Sequence, residues 1–402
     1  NSNDTPPEVS LGFEPQWMLV KNVTTGGSTN PWILVDTMRG WGAPSTSMIQ
    51  PKYLDPSLAN PEGTTRRFGP TANGFMVRDY HSSINSVNQT YIYMAIRRGP
   101  LNPPESGTEV FAIGQQLNTS GSTPSYYSGF PVDMAMNRYT NGTDAGLSDR
   151  LRGAKDLLTT GNYAEYANSV KTFDYMDGYY SPGAGAYTSR ISWMWKRSPS
   201  YFDVVAYTGN SPGGIGTQVI KHNLGTPPEM IWYKKRSGTS GWGVLNTHLP
   251  LVSGLGQGAY INETSAFAAS GWWGSPYVAP TSTDFLVRGS TPNASGSTYI
   301  AYLFASLDGI SKVGSVTHSG TTNVDCGFSA GSRFVMLKRT DATGDWYIWD
   351  SVRGIIAGND PYLLLNTTAA QVTNTDYIDP LSSGFTISDA FTDGDYIFYA
   401  IA

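Results

Sequence analysis

The chain has 402 residues, only 14 % of them charged, and a formal net charge of −5. Its Lys and Arg residues come singly or in pairs such as Arg66-Arg67, without the clusters that a phosphate backbone requires, so we predict no nucleic-acid partner. The single cysteine, Cys326, excludes disulfides within the chain, and no apolar run approaches the roughly 18 residues that predict a membrane span, so no membrane insertion is expected.

Many short strands joined by tight turns are indicated by 13 % aromatic residues, 45 Gly and 25 Pro. The strongest signal is a repeat. Alternating aromatic and aliphatic residues recur once in about every hundred residues and predict the last strand of four similar units. These strands are at 91–96, 191–195, 299–304 and 396–401. We define unit 1 as residues 1–100, unit 2 as 101–200, unit 3 as 201–310 and unit 4 as 311–402.

An earlier apolar strand in each unit runs into Lys or Arg. It is found at 17–21, 132–138, 230–234 and 334–339. Short apolar runs bounded by Gly, Pro, Asn and Ser are typical of antiparallel sandwiches. The predicted fold class is therefore all-β, with four tandem antiparallel β-sandwich units in an extended rod, where each unit contacts mainly its neighbours.

Unit 1 is shorter than the others and is expected to lack its first strand. Unit 3 opens with the apolar segment 202–207, whereas unit 1 has only the polar residues 1–10. A sandwich without one strand exposes an edge or groove, which a strand of another subunit can fill. Two alternatives stay open: the strand was removed with a missing N-terminal segment, or residues 5–9 fill its place imperfectly.

Unit 2 is the most divergent and contains the one helical pattern in the chain. Apolar residues recur at helical spacing ahead of Gly161 and predict one or two helical turns near 147–160. These residues are Leu147, Leu151, Ala154, Leu157 and Leu158.

An acidic and a basic residue recur at the same place in three units, each pair followed by Gly. The pairs are Asp36 and Arg39, Asp149 and Arg152, and Asp350 and Arg353. One interpretation is a charge pair that binds a ligand repeatedly along the chain. The interpretation that we favour is a structural Asp–Arg bridge that fixes a turn, with the next Gly at positive φ.

Several aromatic residues fall in Gly-, Ser- and Pro-rich segments that predict loops. They are Trp41, Tyr126, Tyr127, Tyr179, Tyr180, Trp272 and Trp273. Aromatic rings on loops stack on sugars, and they serve equally as contacts between units or subunits. The sequence leaves these two interpretations open.

Eight Asn-x-Ser/Thr sequons permit N-glycosylation and predict surface positions wherever a sugar is attached. They begin at Asn3, Asn22, Asn88, Asn118, Asn141, Asn262, Asn293 and Asn366.

No catalytic constellation is recognisable, and we predict neither an enzyme nor a cofactor nor a metal site. The four histidines are isolated from one another and have no Cys partner, and there is no Gly-x-Ser-x-Gly motif or phosphate loop. The segment 174–178 carries two aspartates but lacks the alternating pattern of a calcium loop.

The segments 202–210, 222–231 and 293–304 resemble repeated modules in tail-fibre and other virion proteins of aquatic tailed phages. Residues 337–368 continue this resemblance, which is good over units 3 and 4, fair over 11–100 and weak over 101–200. The resemblance implies an extracellular structural or receptor-facing role and supplies no catalytic residues.

We therefore predict a repeating subunit of an extracellular fibre or filament, either a virion appendage or a surface or shed filament. Copies of the chain would join head-to-tail into a homopolymer, with β-strand addition at unit 1 as the candidate joint. The chain begins at Asn1 without an initiator Met, which we interpret as a mature or processed form. The alternative function is a carbohydrate-binding adhesin that holds surface glycans on the loop aromatics. A polysaccharide-degrading enzyme with two carboxylates in a cleft is a third hypothesis.

Overall fold

The computed structural model describes residues 8–25, 30–42, 52–64, 68–77, 81–97, 102–117, 124–142, 146–153, 155–167, 171–181, 189–211 and 214–402. Within these ranges the chain is all-β, and the helical elements have only three or four residues. They are the 3-10 turns Thr37–Arg39, Gly107–Glu109 and Gly271–Trp273 and the α-helix Ser290–Asn293.

Unit 1 is a sandwich of two three-stranded antiparallel sheets with a small hairpin beside them. Its strands are β1 (Glu8–Ser10), β2 (Pro15–Asn22), β3 (Ile33–Asp36), β4 (Lys52–Tyr53), β5 (Gly63–Thr64), β6 (Phe68–Thr71), β7 (Gly74–Val77) and β8 (Tyr91–Arg97). The sheet orders are β3-β2-β8 and β1-β7-β6, and β4 pairs with β5. Side chains of both sheets, among them Met18, Ile33 and Phe75, form the core of this unit.

Unit 2 has a six-stranded sheet of order β14-β13-β12-β11-β16-β9 and a two-stranded sheet of β10 and β15. Its strands are β9 (Phe111–Gln115), β10 (Tyr126–Tyr127), β11 (Met134–Tyr139), β12 (Gly146–Asp149), β13 (Lys155–Leu158), β14 (Tyr166–Ala167), β15 (Gly178–Tyr179) and β16 (Arg190–Trp195).

The prediction of a helix near 147–160 was wrong, because this segment forms the hairpin of β12 and β13. Leu147, Leu151 and Leu157 are all buried, so the apolar pattern reported burial correctly. A tight turn at Arg152 and Gly153, where the φ of Gly153 is 64°, reverses the chain and produces the same spacing without a helix.

Units 3 and 4 repeat this plan with regular strands. Unit 3 contains β17 (Phe202–Thr208), β18 (Thr217–Lys221), β19 (Met230–Lys235), β20 (Trp242–Asn246), β21 (Gly256–Tyr260), β22 (Ala268–Ser270), β23 (Asp284–Arg288) and β24 (Thr298–Phe304). Unit 4 contains β25 (Ser311–His318), β26 (Thr322–Asp325), β27 (Phe334–Arg339), β28 (Trp346–Asp350), β29 (Tyr362–Leu364), β30 (Ile378–Leu381), β31 (Gly384–Ile387) and β32 (Gly394–Ile401). The larger sheets have the orders β17-β24-β19-β20-β21-β22 and β25-β32-β27-β28-β29, and each lies over a smaller sheet.

The larger sheets of units 2, 3 and 4 are buried on both faces at their central strands. One face covers the core of its own unit, and the other, which we call the inner face, has six central positions related by strand register. These positions are Met134, Met136, Leu147, Ile191, Trp193 and Trp195 in unit 2, Met230, Trp232, Val244, Ile300, Tyr302 and Phe304 in unit 3, and Phe334, Met336, Ile348, Ile397, Tyr399 and Ile401 in unit 4. All eighteen side chains are buried in one shared core.

Equivalent hydrogen bonds connect these three units in a closed cycle. Backbone N–H groups donate from Glu165 to Arg236 O, from Phe267 to Thr340 O and from Gln371 to Thr140 O, at 3.0, 3.1 and 2.8 Å. Each of the three units therefore contacts both of the others, and unit 2 contacts unit 4 although they are not adjacent in sequence. The three units have approximate threefold symmetry. The expected rod, in which each unit contacts mainly its sequence neighbours, does not describe units 2–4.

Candidate assembly surface on unit 1

The last strand of unit 1 differs from its three counterparts in having one unpaired edge. Strand β16 lies between β11 and β9, β24 lies between β19 and β17, and β32 lies between β27 and β25. Strand β8 pairs with β2, and no other strand of the described residues lies beside it. A row of backbone N–H and C=O groups is therefore available on β8 for pairing with another strand.

Residues 8–10 do not fill the missing place. They form β1, which pairs with β7 in the other sheet, just as β18 pairs with β23 and β26 with β31. Strand β1 is thus the counterpart of the second strand of units 3 and 4, and the counterpart of β17 and β25 is missing among the described residues. The alternative hypothesis, that residues 5–9 fill the place of the first strand, also involves residues 5–7, which lie outside the described residues.

A cavity of about 320 Å³ opens inside unit 1 along this edge. Its walls are core residues of both sheets together with Tyr91 and Tyr93 of β8. In unit 3 the first strand β17 contributes Val205 and Tyr207 to the core of that unit. The cavity in unit 1 therefore lies where the side chains of a first strand would pack.

The inner face of unit 1 has the same apolar character as the other three inner faces, but among the described residues no other unit buries it as those faces are buried. By strand register its six positions are Trp17, Leu19, Leu34, Ile92, Met94 and Ile96. The side chains on β2 and β3 are half-buried, and those of Ile92, Met94 and Ile96 are 48, 53 and 47 % exposed. Contiguous exposed apolar residues of this kind mark interaction sites.

All three Asp–Arg pairs form salt bridges that close the turn after an equivalent strand, which is β3 in unit 1, β12 in unit 2 and β28 in unit 4. In each, the backbone N–H of the arginine donates to the aspartate Oδ1 at 2.9 Å, and the guanidinium contacts Oδ2. The glycines that follow, Gly40, Gly153 and Gly354, have φ of 85°, 64° and 122°, a region that favours glycine. This geometry is the structural bridge that the spacing indicated.

The pairs differ in what covers them. The hydroxyl of Tyr302 in unit 3 donates to Asp149 Oδ2 at 2.6 Å, and the indole Nε1 of Trp193 in unit 2 donates to Asp350 Oδ2 at 3.0 Å. Both pairs are thereby buried under a neighbouring unit, whereas the side chains of Asp36 and Arg39 remain 20 and 24 % exposed. Among the described residues, Asp36 accepts no hydrogen bond from another unit.

The basic residue at the end of the apolar strand also has a function in packing, which sequence reasoning did not identify. Lys21, Lys234 and Lys338 donate to loop carbonyls of their own units, at Asn30, Ser240 and Gly344. Lys338 also donates to Thr264 O of unit 3, and Arg138 donates across to Leu364 O and Ala369 O of unit 4. The recurrence of a basic residue at the same strand position in each unit was the sequence pattern that could have predicted this function.

Most of the predicted loop aromatics are buried and cannot stack on a sugar, which corrects that prediction. Trp41, Tyr126, Tyr179 and Trp273 are at most 1 % exposed and Tyr180 is 7 % exposed. Tyr126 and Tyr179 do come together, stacked at 5.1 Å, but within the core of unit 2. Trp272 packs against the core of unit 3, which leaves Tyr127 as the exposed member of the predicted set.

Three of the sequon asparagines are buried and hold loops with their side chains. Asn22 accepts hydrogen bonds from the backbone of Thr24 and Thr25, Asn366 accepts one from Trp346, and Asn293 is fully buried. Asn262 is half-buried and bonded to the Trp242 backbone. Asn88 and Asn141 are exposed, whereas Asn3 and Asn118 lie outside the described residues.

A cleft of about 660 Å³ lies between unit 1 and units 2 and 3. Among the charged residues that line it, Arg197 forms ion pairs with Glu14 and with Asp203, and Arg150 contacts Asp133. Within the described ranges, no three His, Cys, Asp or Glu side chains are grouped as a metal site requires. None of the helices described is long and apolar enough to cross a membrane.

The chain belongs to the family described as "Domain of unknown function (DUF7483)", which matches residues 1–100 and 118–402. The match therefore includes residues of all four units. No curated protein matches the chain.

Proposed function

We propose that this member of the DUF7483 family is a structural subunit of an extracellular fibre, either a virion appendage or a surface or shed filament. In this proposal it has no enzymatic activity, and its partners are copies of itself. Units 2–4 form a compact body, and unit 1 is the joint at which an adjoining copy adds a strand to β8.

The unfilled place beside β8 is the observation that carries this proposal. Three units complete their larger sheet with a first strand, whereas unit 1 has none among the described residues and keeps the cavity of about 320 Å³ that its side chains would fill. Strand addition to an open edge provides main-chain hydrogen bonds, and pockets for alternate side chains provide specificity. Donation from one copy to the next is a heterologous contact, which propagates into a filament unless it closes.

The resemblance of units 3 and 4 to virion modules supports an extracellular location. The adhesin alternative loses its support, because five of its seven aromatic residues are buried in cores.

Filling the edge within one chain tests this proposal. A variant with residues 202–213 added directly before Asn1 places a copy of β17 at the same distance from Gly12 that Phe202 has from Gly225. The unaltered protein is expected to form fibres in negative-stain electron micrographs, and this variant is expected to form separate particles, because its own strand occupies β8.

The control variant has the same twelve-residue segment added, but with Val204, Val205 and Tyr207 of the added copy replaced by Asp. The charged Asp side chains cannot fill an apolar cavity. It should still form fibres. Separate particles from the unaltered protein, or fibres from the self-complemented variant, would contradict the proposal.

A further inference from the structure

We propose that the inner face of unit 1 packs against the inner faces of unit 1 in two further copies of this chain. Three chains would then meet in the same kind of threefold contact that units 2, 3 and 4 make within one chain. This inference rests on the proposed function, because it names the partner and the symmetry that a fibre subunit would have at unit 1.

The first argument is the chemistry of the six positions. In units 2, 3 and 4 every one of them is apolar and buried in the shared core. In unit 1 every one is again apolar, yet none belongs to the core of that unit. A strand that had only one face to bury would alternate apolar and polar side chains, so the second apolar face of β8 indicates a second buried contact.

The second argument identifies the partner. The inner faces of units 2–4 cover one another completely and are unavailable to unit 1. Among the described residues, the inner face that remains uncovered is that of unit 1, so its structural match is the same face on another copy. The cycle of units 2–4 further shows that these faces close in groups of three.

The third argument concerns the strength of this contact. Within the chain, Tyr302 and Trp193 donate hydrogen bonds to the aspartate of the neighbouring unit. By strand register, Met94 is the residue of unit 1 that is equivalent to Tyr302 and Trp193. Its thioether has no hydrogen to donate. Asp36 would therefore receive no bond of this kind, and the contact between chains is apolar and reversible on dilution.

Part of the face is already oriented for such a contact. Ile92, Met94 and Ile96 are exposed on one strand, and Leu19 and Leu34 continue the apolar surface onto β2 and β3. Trp17 forms its rim, where it also lines the cleft toward units 2 and 3. Among the described residues, the three side chains that β8 contributes to this face are thus about half exposed.

Sedimentation velocity of the full chain across a dilution series tests this inference. We expect a species with the mass of three chains that dissociates on dilution. The double variant Met94→Glu and Ile96→Glu places charge at the centre of the face and is expected to sediment as a single chain at every concentration. Because both side chains are exposed, the variant should keep the circular dichroism spectrum and thermal unfolding of the unaltered protein.

The matched control is Val219→Glu, which adds charge at an exposed apolar residue of β18, outside the inner face. It should still form the three-chain species. A single chain or a dimer as the largest species of the unaltered protein would overturn the inference, as would a trimer that persists in the double variant.

The outcomes for fibres and for symmetry are separable. Trimers that never grow into fibres would support the threefold contact and contradict the proposed fibre role. Fibres that form equally well from the Met94→Glu, Ile96→Glu variant would keep the fibre role and overturn the threefold contact.

Discussion

The indole Nε1 of Trp193 donates a hydrogen bond of 3.0 Å to Asp350 Oδ2, across 157 residues of sequence. The same carboxylate also holds Arg353, so one buried group joins the turn of unit 4 to the last strand of unit 2. This contact makes units 2 and 4 direct neighbours and closes the cycle of three units.

Trp193→Phe is expected to lower the free energy of unfolding because it leaves a buried carboxylate with one donor fewer. Loss of a hydrogen bond to a charged group costs about 1.5–3 kcal/mol, in addition to the cost of the smaller ring. Urea denaturation measures the difference. The control is Trp273→Phe, since Trp273 is equally buried and its Nε1 has no acceptor among the described residues. Equal losses in both variants would show that the Asp350 bond contributes nothing.

The Asp–Arg pairs allow a comparison of one motif in two environments. Burial by itself acts to lower the pKa of Arg152, but the charge and hydrogen bond of Asp149 together with the nearby Tyr302 and Glu165 more than offset it, and the pKa lies above its ordinary value. Arg152→Met leaves Asp149 buried without its cation, which costs about 3–5 kcal/mol.

In unit 1, Arg39→Met should cost at most about 1 kcal/mol in a single chain, because water reaches both members of the pair. Chemical denaturation at a concentration that yields single chains compares the two variants. Similar losses for Arg39→Met and Arg152→Met would contradict the assigned difference in burial.

Glycosylation should be confined to exposed sequons. Glycans are attached before the chain is fully folded, and a sugar on a buried asparagine prevents packing, so folded secreted molecules carry none there. After expression in a eukaryotic secretory host, peptide mass spectrometry is expected to find occupancy at Asn88 or Asn141 and none at Asn22, Asn293 or Asn366. Occupancy of a buried site in folded protein would contradict its placement.

Stability should increase from about pH 7 to pH 9 because of two buried lysines. Burial lowers the pKa of Lys234 to about 7, with Arg152 acting in the same direction, and burial lowers the pKa of Lys338 to about 8 against the opposing charge of Asp345. Both ordinary values are 10.5, so over this range the unfolded chain binds more protons than the folded one. The free energy of unfolding then rises with pH, by at most about 1.4 kcal/mol per pH unit for each lysine.

Denaturation curves at several pH values measure this slope. Lys234→Met should flatten it even though it also removes a donor to the Ser240 carbonyl. The adjacent Lys235→Met is the control, because that side chain is only half-buried. A slope that is unchanged in Lys234→Met would contradict the assignment.

The repeat and most strands were accessible from the sequence because they depend on local patterns. The residue types of a segment such as 299–304 predict a strand, and the structure has a strand there. The recurring Asp, Arg and Gly predict a turn, which the structure also has. A comparison of unit lengths also predicted that unit 1 lacks a first strand, and among the described residues no strand lies on the free side of β8. Hydrophobic spacing alone failed at 147–160, since a hairpin with three buried leucines satisfies the same pattern as a short helix.

The partner of each apolar face was decided only by the tertiary structure. The hydrophobicity of a side chain predicts that it is buried, but it does not predict which residues will pack against it. Tyr126, Trp273 and Trp41 were therefore predicted to be loop aromatics, although they lie in cores. For the same reason, the sequence of units 2, 3 and 4 did not reveal that their inner faces meet one another. Burial of a face is a local requirement of the strand, whereas its partner depends on how distant sheets pack in space.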